Sequence, residues 1–452
     1  MIANIGAICL ANALMVCVGV GLLPVFRLAN SRRAALARLP LAYAIGTAAT
    51  GIVASELAVV DVPVGRIGLP VLAAVSLALG FVLHRRPAAP APPRLLRRQL
   101  VPVAVLLGAS AAFLANAARL FAVKPLVEND GWALWGLRAR ALYDFGHPVA
   151  PVFTSALYPG LQYPLFVPEL EAIDFRFMGT FDGTLIHLQM LAFAVAFVGG
   201  AWSLLRSNAP PVLLAASLLA IVTAPAFFGQ LGTNEADVPL AIFTGLGVAA
   251  LCAWLRTGEH GLLPSAALFL VAGALTKNEG ELFALAAYIA AFACARRSQI
   301  RGLIAAGSAT VVLDWPWHIW LIAHGVTGTA FSLSRLFHPS YLTSHWYRVQ
   351  SAEHQLLAHV RLLSDWSFVQ LLAVAVLAAA LALRRFRSVT FGVVWLLLSF
   401  GGLLCVYWAS PLPLYPDLFN SAHRTIDTLV IGAPLLAAVA FGNLGRRTDE
   451  PA

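Results

Sequence analysis

Apolar runs of about 20 residues recur along the whole chain with short polar stretches between them, and each is long enough to cross roughly 30 Å of hydrocarbon as a helix. The pattern predicts spans near 4–26, 40–60, 67–84, 100–121, 184–205, 211–229, 238–255, 262–276, 281–295, 302–323, 366–383, 389–409 and 426–443. The expected fold is all-α: a polytopic transmembrane helix bundle of about 13 spans, with outer-facing loops containing short amphipathic helices. Segments 262–276 and 281–295 are short for full spans, so tilted, extended or broken helices are expected there. The first apolar segment lacks a basic leader and a small-residue cleavage site, and reads as a retained helix rather than a signal peptide.

Two connections are long, 122–183 and 324–365, with a shorter one at 410–425. A Pro/Ala-rich stretch at 87–96 sets off three leading helices, giving a division into 1–99, a module at 100–325 that carries the first long loop, and 326–452. Within that loop, 128-ENDGWALWGLRARALYDFGHP-148 puts Trp132, Trp135, Leu137 and Leu142 at helix-compatible spacing, with Gly146 placed to end the helix. The expectation is a short amphipathic helix on the outer leaflet.

Composition strengthens the membrane reading. The 452 residues are 60% hydrophobic and 11% charged, and mean hydropathy is +0.80. The net charge of +9 conceals two opposite faces. Alternating the spans puts 19 of the 30 basic residues on one side, among them Arg27–Arg38, Arg85–Arg98, Arg296–Arg301 and Arg384–Arg387, with only three of the 21 acids. That side is expected to be cytoplasmic, with the N-terminus outside and the C-terminus inside. The basic face then signals topology and contact with anionic membrane lipid, and no nucleic acid partner is expected. Cys9, Cys17, Cys252, Cys294 and Cys405 all fall in apolar spans without CxxC spacing and read as small packing residues.

Charged residues near the membrane are costly, by at least about 2.5 kcal/mol for Asp, Lys or Arg at a helix centre, unless they are paired or line a wet cavity. Here Glu128 and Asp130 begin the first long loop; Glu235 and Asp237 lie in 231-LGTNEADVPL-240; Lys277, Glu279 and Glu281 lie in 275-LTKNEGE-281; and His423, Arg424 and Asp427 open the last span. All are predicted at one outer level, which describes a polar site beneath the outer surface. Asp314 falls inside a span and is expected to pair with His318, four residues on along the same helix face.

With these residues in place, the chain resembles the GT-C superfamily of polytopic glycosyltransferases, specifically the bacterial relatives of protein mannosyltransferases and lipid A aminoarabinose transferases. The resemblance runs over roughly 120–325 and the last span. The family's acid at the start of the first outer loop is matched by Asp130, with Glu128 beside it in END. Its aromatic-Pro element resembles Tyr163-Pro164, its second acid Asp237 in ADVPL, and its Leu-Thr-Lys segment Leu275-Thr276-Lys277. Its terminal Arg before a Pro-containing helix resembles Arg424 with Pro434. The three leading helices depart from the common plan.

The resemblance implies an inverting enzyme that moves a sugar from a polyprenyl-phosphate-linked donor to a glycan, lipid or protein acceptor, at the extracytoplasmic face of the inner (plasma) membrane. Displacement at an anomeric carbon requires a base for the acceptor and positive charge for the departing phosphate. Asp130 is the candidate base, with Glu128 and Asp237 as catalytic companions, and Lys277, Arg424 and His423 are candidates for the phosphate. Trp132, Tyr163, Glu235 and Glu279 are candidate substrate-loop residues. The alternatives are that Asp130 caps the loop and that Lys277 anchors at the interface. Asp130 and Asp237, with Glu235, either hold a divalent cation such as Mg or Mn or order the loop through hydrogen bonds.

Trp132, Trp135, Trp315, Trp317, Trp320 and Trp346 read as an interfacial belt ahead of a sugar platform. The spacing of His338, His345 and His354 is not that of zinc ligands. There is no GxxxxGK[ST] phosphate loop. The competing classes are a membrane polysaccharide polymerase or ligase, which does not need the acidic start of the first loop, and a secondary transporter, for which repeated halves with broken helices at midplane are expected.

Overall fold

The computed structural model describes residues 1–84, 95–154, 162–326, 333–410, 412–414 and 421–442. Among these every regular element is helical. Each predicted apolar segment contains a helix, and seven helices are long and apolar enough to cross a membrane. The pair Pro211–Thr223 and Pro225–Leu231, bent by 58°, makes an eighth when taken as one span. Such a set marks a multi-pass membrane protein. The bend has a local cause: Pro225 offers no amide hydrogen and forces Ala224 into the extended region, at ψ 131°. The helices Gly68–Leu83, Leu262–Ala274 and Val369–Ala382 are apolar but shorter. The Pro/Ala stretch at 87–96 lies almost wholly outside the described residues.

Burial orders the bundle. Asp237–Thr257 is covered by protein on every side, apolar all round as a central helix must be, and it packs on Leu262–Ala274 and Asp427–Phe441. Arg97–Phe121 is only 22% buried over its most apolar stretch, so most of its side chains face outward, where lipid replaces protein. The leading helices Ile2–Val25, Leu39–Val59 and Gly68–Leu83 pack on one another and join the same core through His187–Leu205 and Phe166–Met178.

Several loops predicted to share one side do meet. Arg38 feels both Arg206 and Glu259; Arg256 donates to the Asn208 and Val439 carbonyls at 2.5 and 2.9 Å; and Arg387 donates to the Cys294 carbonyl and to Gln299. These contacts form one end of the bundle, and the candidate site forms at the other.

Three expectations need correction. The segment after Asp130 is a six-residue π-helical turn, Gly131–Gly136, running into the helix Leu137–Phe145, and it is not laid on a leaflet. Trp135, Arg138, Ala139, Ala141 and Leu142 are buried, and the helix packs against Phe166–Met178. Gly146 does end it, at φ +82°, a conformation that side chains with a Cβ rarely adopt. The tryptophans divide: Trp132, Trp315 and Trp346 are exposed as a belt requires, whereas Trp135, Trp317 and Trp320 are interior. Of the five free cysteines only Cys252 and Cys294 are buried, and Cys9 is exposed on the first helix.

Candidate functional site

Asp237 is the first residue of Asp237–Thr257, where a carboxylate suits the positive end of the helix dipole. Lys277 is the N-cap of Asn278–Cys294 and reaches back across that end. Its Nζ lies 2.7 Å from Asp237 Oδ1, 3.4 Å from Glu279 Oε1 and 5.4 Å from the centre of the Tyr163 ring. Lys277 and Asp237 are both buried, so each needs the other: a lone ion there would forfeit several kcal/mol of hydration. Burial works against the ammonium, but Asp237 and Glu279 outweigh it and hold Lys277 well above the ordinary lysine range.

Arg424 completes the cluster from the short helix Ala422–Thr425 that precedes Asp427–Phe441. Its Nη2 donates to Asp130 Oδ2 at 2.7 Å and its Nη1 pairs with Glu235 Oε1. The two carboxylates differ in setting: the Asp130 side chain is 46% exposed and that of Glu235 only 7%. Burial raises the Glu235 carboxyl despite the neighbouring guanidinium. Asp130 is therefore the acid of this group that faces outward.

The loop is held by contacts that fix where Asp130 and Tyr163 sit. A Cβ on Gly131 would overlap the Thr233 carbonyl oxygen, so glycine lets the chain after Asp130 lie directly on the loop that carries Glu235. Trp135 stacks on Tyr163, centroids 5.5 Å apart. Trp317 Nε1 donates to the Gln162 carbonyl at 3.0 Å, Arg138 donates to the Tyr163 carbonyl, and the Phe166 amide donates to the Leu275 carbonyl at 3.2 Å. Arg138 is fully buried among the rings of Trp135, Phe153 and Trp317. The 162–166 segment is thus clamped between the first loop and the Leu-Thr-Lys turn, with the Tyr163 ring over the Lys277 ammonium.

Glu128 turns away from Arg424 and takes Lys124 at 2.6 Å; that partner outweighs partial burial and keeps its carboxyl low. Lys124 also donates to the Gly232 carbonyl, so the pair braces the two loops. Trp132 is half exposed, edge-on to Phe181. His423 is exposed, its ring 5.8 Å from that of His359. Of the three acids considered for a divalent cation, Asp130 and Glu235 face Arg424 and Asp237 faces Lys277.

Sequence reasoning missed a set of buried acids. Glu169, Glu171 and Asp174 lie on Phe166–Met178, at 0%, 0% and 2% exposure. Glu169 pairs with Arg176 at 3.0 Å and Glu171 is in hydrogen-bonding reach of Asn234, whereas neither oxygen of Asp174 accepts a hydrogen bond. Asn234, in the left-handed conformation at φ 59°, is buried beside Glu171, and buried Gln230 likewise faces the buried Asp427 carboxyl. Glu235 Oε2, Glu279 Oε2 and Arg424 Nε add three unpaired atoms within the ionic cluster. Buried acids and amides gathered at this density line a polar interior rather than an apolar core.

Comparison with protein-family models, curated proteins and solved structures finds no match to the chain. The site is therefore read from its own chemistry. It offers two buried or half-buried cations, a half-exposed carboxylate against one of them, and a tyrosine over the other, which suits an anionic ligand beside a group that receives a proton.

Proposed function

We propose that the chain is a membrane glycosyltransferase of GT-C type, which transfers a sugar from a polyprenyl-phosphate donor to an extracytoplasmic glycan, lipid or protein acceptor. The carrying observation is the meeting of Asp130, Glu235 and Asp237 with Lys277 and Arg424, from four distant stretches of chain, at one end of an apolar bundle. On this reading thirteen spans cross the inner membrane, counting the bent pair, the three shorter apolar helices, Asn278–Cys294 and Ile300–Ala323 as spans beside the seven long ones. The arginine-rich end is cytoplasmic and the ionic cluster faces outward.

The donor phosphate takes the guanidinium of Arg424 and the ammonium of Lys277, competing with the carboxylates that hold them in the free protein. Release of Arg424 frees Asp130. The acceptor hydroxyl or amine gives its proton to the Asp130 carboxylate as its heteroatom bonds to the anomeric carbon. The bond from that carbon to the phosphate oxygen breaks, and its electron pair leaves with the polyprenyl phosphate, whose charge Lys277 and Arg424 balance. Configuration inverts because a single displacement occurs. Trp132, half exposed, contributes a ring face to the sugar, and Tyr163, stacked on Trp135 and lying over the Lys277 ammonium, positions that cation. The positive charge that a Mg or Mn ion at Asp130 and Asp237 would bring is supplied by the two side-chain cations.

The test is binding of polyprenyl phosphate to the purified, reconstituted protein. Arg424→Ala and Lys277→Ala are expected to weaken it at least tenfold, while Glu128→Gln leaves it unchanged. Undiminished affinity in both cation variants, each shown to be folded, would return Arg424 and Lys277 to the role of structural anchors.

A further inference from the structure

A second cluster lies beside the first and plays no part in the transfer just described. Glu281 is in the first turn of Asn278–Cys294, one helical turn after Lys277; Asp314 and His318 are four residues apart on Ile300–Ala323. The two helices pack together, joined also by Tyr288 and Thr310 hydroxyls at 2.9 Å. His318 Nε2 lies 3.1 Å from Asp314 Oδ2 and 3.2 Å from Glu281 Oε1. One ligand atom from each of the three residues lies within 4.8 Å of the other two, the one such group of three among the described residues.

An ion pair accounts for only part of this. A ring nitrogen carries at most one hydrogen, so Nε2 satisfies one carboxylate in full and not two. Glu281 Oε1 is left to share the Nε2 hydrogen with Asp314 Oδ2, and Asp314 Oδ1 is buried and accepts no hydrogen bond. Glu56, on Leu39–Val59, is close enough to Asp314 to act on it electrostatically, which sets three carboxylates against one imidazole in an apolar bundle. Excess negative charge in such surroundings calls for a cation. The spacing fits one, because bonds of about 2.0–2.2 Å to a shared ion put neighbouring ligand atoms roughly 3–3.5 Å apart.

We infer that Glu281, Asp314 and His318 form a binding site for one divalent transition-metal ion, zinc or manganese, that joins Asn278–Cys294 to Ile300–Ala323. Imidazole with two carboxylates suits these ions over Mg or Ca, whose sites are built from oxygen alone. Asp314 and His318 at i and i+4 present both ligands on one helix face, and Glu281 closes the set from the facing helix. The ion braces the helix that begins at Lys277 and does not touch the donor, so the site stands whether or not the transferase reading holds.

The experiment uses the full chain, purified without a histidine tag, stripped with chelator and then titrated separately with ZnCl2 and MnCl2 in a calorimeter, with bound metal counted after desalting. One ion of either kind per chain is expected. His318→Ala should lose at least tenfold in affinity, and so should Glu281→Gln, which leaves the His318–Asp314 bond in place and guards against a folding defect. Thermal melting should rise with metal in the wild type and not in these variants. A wild-type protein that retains no stoichiometric metal, or folded variants that bind as the wild type does, would overturn the site and leave an ion pair only.

Discussion

Asp130 and Arg424 lie 294 positions apart and meet through a 2.7 Å charge-assisted hydrogen bond. The same guanidinium holds Glu235, so one side chain ties the first long loop, the turn before the central helix and the start of the last helix. Bond and burial together separate the two acids: Glu235 is enclosed, and Asp130 is the end of the pair open to the outside, which is why the proposed transfer is assigned to it.

Asp130→Asn keeps the shape and one acceptor oxygen but removes the proton acceptor. Transfer from a lipid-phosphate sugar is expected to fall at least roughly a hundredfold, the low end for loss of a general base, with thermal melting little changed. Glu128→Gln should do much less, because Glu128 is engaged by Lys124 and not by Arg424. Near-normal transfer by Asp130→Asn removes Asp130 from the mechanism, and a larger loss in Glu128→Gln moves the base to that carboxylate.

Lys277 and Asp237 make a buried pair whose halves differ in consequence from the whole. Lys277→Ala strands a buried carboxylate and should destabilise by about 3–5 kcal/mol. Replacing both partners, Lys277→Met with Asp237→Leu, removes the charge and should recover most of that loss in denaturant melts. Polyprenyl-phosphate binding should stay weak in the double variant. Restored binding alongside restored stability would show that Lys277 serves the fold and not the phosphate.

Stability should rise on mild acidification. Burial holds the folded-state values of Glu171 and Asp174 well above the ordinary 4.5 and 3.8. A carboxyl raised by folding gives its full stability below its unfolded value and loses it as pH climbs through the folded one. Glu128, lowered by Lys124, acts oppositely: its contribution is present above the ordinary range and fades as pH falls through its folded value. Two enclosed acids outweigh one half-buried acid, so melting temperature should increase from pH 8 toward pH 5. Glu171→Gln with Asp174→Asn should flatten this slope and raise the melting temperature at pH 8. A flat wild-type profile would mean that neither acid titrates with folding.

The apolar segments, the glycine stop at Gly146 and the Asp314–His318 pair were legible because each depends on neighbours within a few residues. The common level of Asp130, Asp237, Lys277 and Arg424 was legible too, since helices that cross an apolar layer return to the same two ends. Phe166–Met178 was not. Its PELEAIDF stretch carries three acids and reads as loop, yet it is enclosed by the first two long helices and by Leu137–Phe145. No local pattern separates a carboxylate that faces solvent from one held inside by distant helices. The interior positions of Trp135, Trp317 and Trp320 were hidden likewise, because an aromatic residue near a helix end suits a lipid interface and a clamp on a loop equally well.

The last prediction concerns which end of the bundle meets the cytoplasm. Arg38, Arg256 and Arg387 lie at the end opposite the ionic cluster, held by carbonyls and by Gln299, with Arg206 close to Arg38. Arginines placed there resist translocation, whereas Asp130, with its side chain half exposed at the other end, does not. A reporter fused after residue 90 should therefore read cytoplasmic, and one fused after residue 150 extracytoplasmic. The second fusion point lies within the same long loop as Asp130, so it also locates the candidate site. Both reporters on one side would break the alternation on which the thirteen-span reading rests. Opposite sides in reversed sense would keep the bundle but turn the site toward the cytoplasm, where an outward-facing lipid-linked donor could not reach it.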